Sequence, residues 1–365
     1  MKETSVIGMF FELIRLGIGT AEKMQSLPTA QEWEQIYEIS QKQTLLGIAF
    51  SGIEKLSAEQ RPPKQLLLTW YNYCQKIKAA NEKLNLQAVA IAGKFREEGF
   101  RNTILKGQGI AALYDNPARR TPGDVDIWLE GGREKILTYV KQFFPDCNAV
   151  YHHVDFPIYK HPEIEIHFTP SWMYNYFTNR RLQKFFAQQG EAMFTNRITF
   201  EGCEGYINAP TLAFNRFYIL LHIYRHLFQE GIGLRQLLDY YYVLAQGFTE
   251  EEKTETVKLL KRFRMKRFAG AVTYILEEFF AMDKKYRLVK PLEKEGEKLL
   301  KEILVSGNFG KYNPVYLNDA SDSLMSRAVS RTKYNLQFVW SYPSEILAAP
   351  LFRMWHHFWM KKINK

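Results

Sequence analysis

The spacing of apolar positions changes several times along the chain, and those changes define the expected elements. Phe10, Phe11, Ile14 and Leu16 form one helical stripe. Thr29 stands where it caps a helix from Gln31 to Ile39, and Pro62 and Pro63 open another toward Trp70 and Tyr73. From Asn81 onward, Leu84, Ala88, Ile91 and Phe95 share a helical face that Gly99 is placed to end. Next comes a short apolar segment, Thr103-Ile104-Leu105, a Lys106-Gly107-Gln108-Gly109 turn, and a further helical run. The segment Gly123-Asp124-Val125-Asp126-Ile127-Trp128-Leu129 then reads as a strand broken by Gly131-Gly132. Ile136, Val140, Phe143 and Phe144 stripe the helix that follows, and two extended stretches, Val150 to Tyr159 and Ile164 to Phe168, come after Pro145. Beyond Pro170 an extended piece spans Ile198 to Ile207, and Pro210-Thr211 starts a helix to about Gln229. Ser306 to Gly310 and Asn313-Pro314 read as a loop, and Leu347, Leu351, Met354 and Phe358 line up on a last helix.

This order predicts an α+β protein. A small mixed sheet with flanking helices is expected over residues 81–170, after an N-terminal helical region, 1–80, and before a mainly helical C-terminal region, 171–365.

The candidate chemistry sits in the sheet. Alternation along a strand sends Asp124 and Asp126 to one face and Val125 and Ile127 to the other. Two carboxylates held that close repel unless a cation lies between them, and a hard divalent ion, most simply Mg2+ or else Mn2+, suits oxygen donors. A surface strand with two solvated acids is the plain alternative. Glu163, Glu165 and His167 alternate on one face of a later strand, bringing a further acid into range. With a glycine turn ahead of a helix, the set reads as a phosphate cradle beside a metal site, which suggests two-metal phosphoryl chemistry.

Composition narrows the partners. A net charge of +10 favours anionic ligands without choosing among nucleotides, nucleic acid, phosphorylated substrates or an anionic membrane surface. The cysteines, Cys74, Cys147 and Cys203, are odd in number and lack zinc-ligand spacing, which fits a reducing cytoplasm. The apolar run Val6 to Phe11 is too short and too soon interrupted by charge for a signal-peptide core, and no stretch is expected to span a bilayer.

The run Leu105-Lys106-Gly107 with Tyr114, then Arg120 with Gly123-Asp124-Val125-Asp126, then Ile164-Glu165-Ile166-His167-Phe168, resembles the uncharacterised bacterial nucleotidyltransferases of the DNA polymerase β superfamily. His226-Leu227-Phe228, the segment from Gly231 through Arg235 to Asp239, and Tyr342 to Trp355 are similar to the same subgroup, which carries lysine-glycine at the turn. The resemblance implies a nucleotidyltransferase core, an NTP donor with ATP the first to try, Mg2+ or Mn2+ as cofactor, and an acceptor that is a small molecule, a protein or RNA. It assigns Asp124, Asp126 and Glu165 as catalytic metal ligands, Glu165 also being a candidate base. Lys106, Gly107, Arg120 and Gly123 become phosphate contacts, and His167, His226, Arg235 and Asp239 line the site. Lys106 in place of the superfamily's usual small residue also raises the alternative of a binding module that has lost turnover.

Plainer roles compete elsewhere. Lys106 and Arg120 also read as solvated side chains near turns. His222 and His226 have the i, i+4 spacing of zinc ligands, yet the segment His-Ile-Tyr-Arg-His lacks the acid of a zinc-protease helix, and packed histidines are the expectation. Arg235 and Asp239, one turn apart, suit an intrahelical ion pair. The basic run Lys258 to Phe268 is expected to be the solvated face of one helix with Val257, Leu260, Phe263 and Phe268 inward, an RNA-binding surface being the alternative. The tail, Trp355 to Lys365, is expected to pack on the helical region rather than on a membrane interface.

Overall fold

The computed structural model of the chain describes residues 5–313 and 324–363. Pro314 of the expected loop and the final Asn364 and Lys365 of the tail lie outside the described residues. The fold is α+β, with a four-stranded mixed sheet and a two-stranded one among many helices. By packing, the chain divides into two units, one of Met1–Glu82, Leu113–Pro122 and Glu230–Leu317, the other of Lys83–Ala112, Gly123–Gln229 and Asn318–Lys365. The consecutive stretches read from the sequence divide the chain by composition, and these interleaved units divide it by packing.

The first unit is helical. Ser5 caps Val6–Gly17, whose Phe10, Phe11, Leu13 and Ile14 are buried, and the Phe11 ring lies 4.9 Å from that of Phe279. Thr29 and Glu32 form a reciprocal capping box at the start of Ala30–Lys42, which satisfies two backbone N–H groups that the helix itself leaves unpaired. The basic run is not one helix: Glu250–Arg262 ends before Phe263, Arg264 adopts a left-handed φ of 58°, and Lys266–Phe280 begins anew. Leu260, Phe263, Met265 and Phe268 are all fully buried, and the left-handed residue between them turns the chain while keeping them inside.

The two helices expected on either side of Asn81 are a single helix, Lys64–Glu97, counted to Glu82 with the first unit and from Lys83 with the second. No glycine or proline interrupts the sequence between Lys64 and Ala92, so a shift of the apolar stripe had suggested a break that the backbone does not make. Gly99, at φ 78°, follows its end, in the left-handed region where glycine is favoured.

In the second unit the sheet runs β1 (Asn102–Ile104), β2 (Val125–Leu129), β4 (Ile164–His167), β3 (His153–Asp155). β2 pairs antiparallel with β1 and parallel with β4, and β4 pairs antiparallel with β3. The register sets Asp126 beside Glu165, and Glu165 beside Asp155; two residues along, it sets His167 beside His153. One face of the sheet is apolar: Val125, Ile127, Ile164, Ile166 and Val154 join Ala88, Ile91, Phe95, Ile136 and Val140 of the flanking helices in one buried cluster. Because strand side chains alternate, that burial forces Asp126, Glu165, His167 and His153 onto the opposite face together.

The C-terminal helix Pro343–Ile363 turns its stripe outward: Leu347, Leu351, Met354 and Phe358 are all more than half exposed. Its packed side is instead the aromatic one, within the second unit. Phe352 stacks on Trp172 at 4.4 Å, and Tyr151 meets Trp355 and Trp359. Buried Glu345 accepts a 2.7 Å bond from the Tyr174 backbone N–H. No described helix is long and apolar enough to cross a membrane.

Candidate active site

Asp124, Asp126 and Glu165 each offer a carboxylate oxygen within 4.8 Å of the others. Lys106 leaves the end of β1 and reaches them: its Nζ lies 2.9 Å from Asp126 Oδ2 and 3.5 Å from Asp124 Oδ2. His167 closes the other side, its Nε2 lying 2.9 Å from Asp126 Oδ1 and 3.3 Å from Glu165 Oε2. His153 Nδ1 is 3.1 Å from the same Glu165 oxygen. The Asp126 side chain is 1% exposed and that of Asp124 is 36% exposed, so the cluster opens to solvent on the Asp124 side.

Charge compensation explains how ionised groups persist here. Burial raises the Glu165 pKa, but the His167 hydrogen bond and the fields of His153, His167 and Lys106 overcome it and bring it to about 2. Burial opposes the charge on His167 too, yet bonds to Asp126 and Glu165 lift it to about 9. Asp126 is held below the usual carboxylate range: burial opposes ionisation, and Lys106 with His167 outweighs burial. Lys106 is desolvated, and the fields of Asp124, Asp126 and Glu165 together push its pKa up. His153 goes the other way, to about 4, because burial outweighs the attraction of Glu165.

Gly107, between Lys106 and a helix of a single turn, Gln108–Ala111, has φ 59° and ψ −113°. A Cβ there would meet the Asp124 carbonyl oxygen at 3.5 Å, an ordinary contact, so backbone conformation and not space demands glycine. Gly107→Ala is therefore expected to cost about 1–2 kcal/mol, measurable by urea denaturation; unchanged stability would show that the turn relaxes. Gly123 directly precedes Asp124 in the chain.

Three residues expected near phosphate or lining the site belong to the first unit and have partners there. The Arg120 Nε and Nη2 donate to Asp239 Oδ1 and Oδ2 at 2.8 and 2.9 Å. Tyr114 donates to Asp239 Oδ1 at 2.6 Å, and Arg235 Nη1 donates to the Thr121 carbonyl at 2.9 Å. The anion that Arg120 grips in this structure is thus a protein carboxylate.

Around the carboxylates the structure adds residues that sequence reading had not placed at a site. The helix Leu212–Gln229 carries Tyr218, His222 and Arg225 at i, i+4 and i+7, and Tyr218 feels the fields of Asp126, Lys106, Arg225 and Asp124. The His222 and His226 rings are 4.2 Å apart, and His226 Nε2 lies 3.1 Å from Arg225 Nη2. Among the described residues neither falls in a group able to hold a metal. Their helical spacing was visible in the sequence; the direction in which that face points was not. A cavity of about 460 Å³ in the same unit, lined in part by Arg96, Arg101, Arg197 and Tyr206, includes none of the carboxylates.

A family model described as "Uncharacterised nucleotidyltransferase" matches residues 29–281. Among solved structures, an antigenic nucleotidyltransferase-like protein from Paracoccidioides brasiliensis is similar over 59% of this chain and 97% of that one, at 12% identity and a TM-score of 0.32. No curated protein sequence matches.

Proposed function

The chain belongs to that uncharacterised nucleotidyltransferase family, and from this premise we propose that it transfers a nucleoside monophosphate from an NTP, ATP first, to an acceptor hydroxyl in a Mg2+-dependent reaction. The observation that carries the proposal is the convergence of Asp124, Asp126 and Glu165 within 4.8 Å. An all-oxygen donor set of this kind fits a hard divalent cation. Asp126 Oδ2 is buried and accepts no well-aligned hydrogen bond despite the nearby Lys106 ammonium, so it retains a lone pair for an ion. These three residues would hold Mg2+ or Mn2+, which supplies charge neutralisation at the phosphates and a more acidic acceptor hydroxyl.

In the transfer, the acceptor oxygen bonds to the α-phosphorus, the bond from that phosphorus to the β-bridging oxygen breaks, and pyrophosphate leaves. Glu165, held ionised at a pKa of about 2, is a weak proton acceptor and suits ligation better than base catalysis. The hydroxyl proton therefore passes to water on the open Asp124 side. Lys106 keeps its charge and offers it to phosphate oxygens, and His167 holds Asp126 and Glu165 in place. Positioning and charge are most of what such a reaction needs.

Calorimetry with each NTP in the presence and absence of Mg2+ tests the reading. Wild type should bind one or more NTPs only with the metal, and Asp124→Asn should lose that binding; equal binding by the two proteins would sink the site assignment. A second reading, a binding module without turnover, draws on Lys106, whose ammonium already lies between the two aspartates as a cation would. It expects nucleotide binding in the same experiment to be indifferent to metal or missing. For the acceptor, labelled NTP incubated with the protein would reveal self-modification or leave a small molecule or RNA to be sought.

A further inference from the structure

Glu165 faces two imidazoles as well as two aspartates. Trp172 Nε1–H, which can only donate, lies 3.2 Å from His152 Nδ1, so that nitrogen accepts. His152 then carries its one proton on Nε2, which points at His153 Nδ1 at 3.2 Å. His153 Nδ1 also lies 3.1 Å from Glu165 Oε2. His153 Nδ1 thus turns its lone pair to the side where a carboxylate oxygen also lies, and a cation between the two is held by both, taking that lone pair from the His152 N–H.

The geometry suits one. His153 Nδ1, Glu165 Oε2 and His167 Nε2 lie within 4.8 Å of one another, with Glu165 3.1 and 3.3 Å from the two nitrogens, and a bound ion takes the place of the proton that His167 Nε2 shares with the acids. Ligands about 2.0–2.1 Å from a tetrahedral ion stand roughly 3.3 Å apart. Asp126 Oδ1, 2.9 Å from His167 Nε2, is at hand as a further oxygen donor. The other nitrogen of His153 lies 3.6 Å from Asp155 Oδ1, beyond hydrogen-bond distance. All these groups come from β2, β3 and β4 on the polar face of one sheet.

We propose that His153, Glu165 and His167 form a binding site for a first-row transition metal ion of the zinc class, distinct in donor set from the all-carboxylate group it adjoins through Glu165. Two imidazoles and one carboxylate select such an ion over Mg2+, whose preferred ligands are oxygen and water. The site does not depend on the nucleotidyl-transfer reading.

Metal-stripped full-length protein titrated with Co2+ should take up one equivalent with strong visible absorption of low-coordinate cobalt, and excess Mg2+ should not displace it. His153→Ala should weaken that binding by more than about 100-fold, the upper range for loss of a residue that merely orients a ligand. Glu130→Gln, an exposed acid outside both donor sets, should leave the absorption unchanged. Pulsed electron paramagnetic resonance of Cu2+-loaded wild type reads imidazole nitrogen couplings directly and decides the matter even if the His153 variant fails to fold. Equal Co2+ binding by wild type and a folded His153→Ala, displacement of Co2+ by Mg2+, or a Cu2+ spectrum without nitrogen couplings would each overturn the proposal. Cobalt absorption that persists when no NTP binds would overturn the transfer reading alone.

Discussion

Asp126→Asn is expected to abolish metal-dependent nucleotide binding and to weaken the fold as well, and the second effect separates it from Asp124→Asn. The Asp126 side chain is almost fully buried, accepts the His167 Nε2 contact at 2.9 Å on one oxygen and faces Lys106 Nζ at 2.9 Å with the other. The amide keeps the shape and loses the charge. Two cations are then left beside Asp124, which is partly solvated, and Glu165, which His167 and His153 already share. Removing one partner from a buried ion pair typically costs about 3–5 kcal/mol, because the group left behind remains desolvated. Metal affinity should fall by more than the roughly 10- to 100-fold that follows loss of a residue that only orients a ligand. Urea denaturation and calorimetry with Mg2+ and NTP measure the two effects separately. A variant of wild-type stability that still binds nucleotide with metal would remove Asp126 from the centre of the site.

That the aspartates keep to one face of their strand and Glu165 to one face of its own was legible before any coordinates, because a strand has a period of two and the apolar Val125, Ile127, Ile164 and Ile166 take the other face. Register was not legible. Whether Asp126 stands beside Glu165 depends on β2 and β4 being parallel neighbours, and a slip of one residue would have sent every side chain to the other face. His153 of β3 and its neighbour His152 were hidden for a similar reason: they sit in an extended stretch without other signals, and only the pairing of β3 with β4 brings His153 to Glu165. Local patterning failed most plainly at helix ends. The single helix Lys64–Glu97 carries a drifting apolar stripe that resembles two shorter ones, and the break at Arg264 uses a left-handed non-glycine residue that composition does not flag. The C-terminal stripe was legible as a line, and its outward direction was not, since the contacts of Phe352 with Trp172 and Tyr151 hold the helix by its other side.

In the first unit, Asp239→Asn is expected to lower stability by about 3–5 kcal/mol through a cause unrelated to phosphate chemistry. Asp239 receives both nitrogens of a buried Arg120 side chain and the Tyr114 hydroxyl, and Tyr114 stacks on Tyr242 at 4.0 Å. Asn81 Nδ2 holds the Arg120 carbonyl at 2.8 Å, so the arginine is fixed at both ends. An amide can satisfy one of these donors and not the charge, which strands the guanidinium away from water. Burial works against the Asp239 charge, but Arg120, with Arg235 and Tyr114, depresses its pKa below the ordinary carboxylate value. A depressed acid contributes stability that is fully present above its unfolded pKa and is lost as pH falls through the folded one. Wild type should therefore lose this contribution only under strongly acidic conditions, and Asp239→Asn should flatten that part of the stability-against-pH curve while lying below wild type at neutral pH. Denaturant melts from neutral to acid pH give both readings. Parallel curves for the two proteins would show that Asp239 is not the group whose ionisation they share, and equal stability at neutral pH would leave Arg120 free to meet some other anion, such as phosphate.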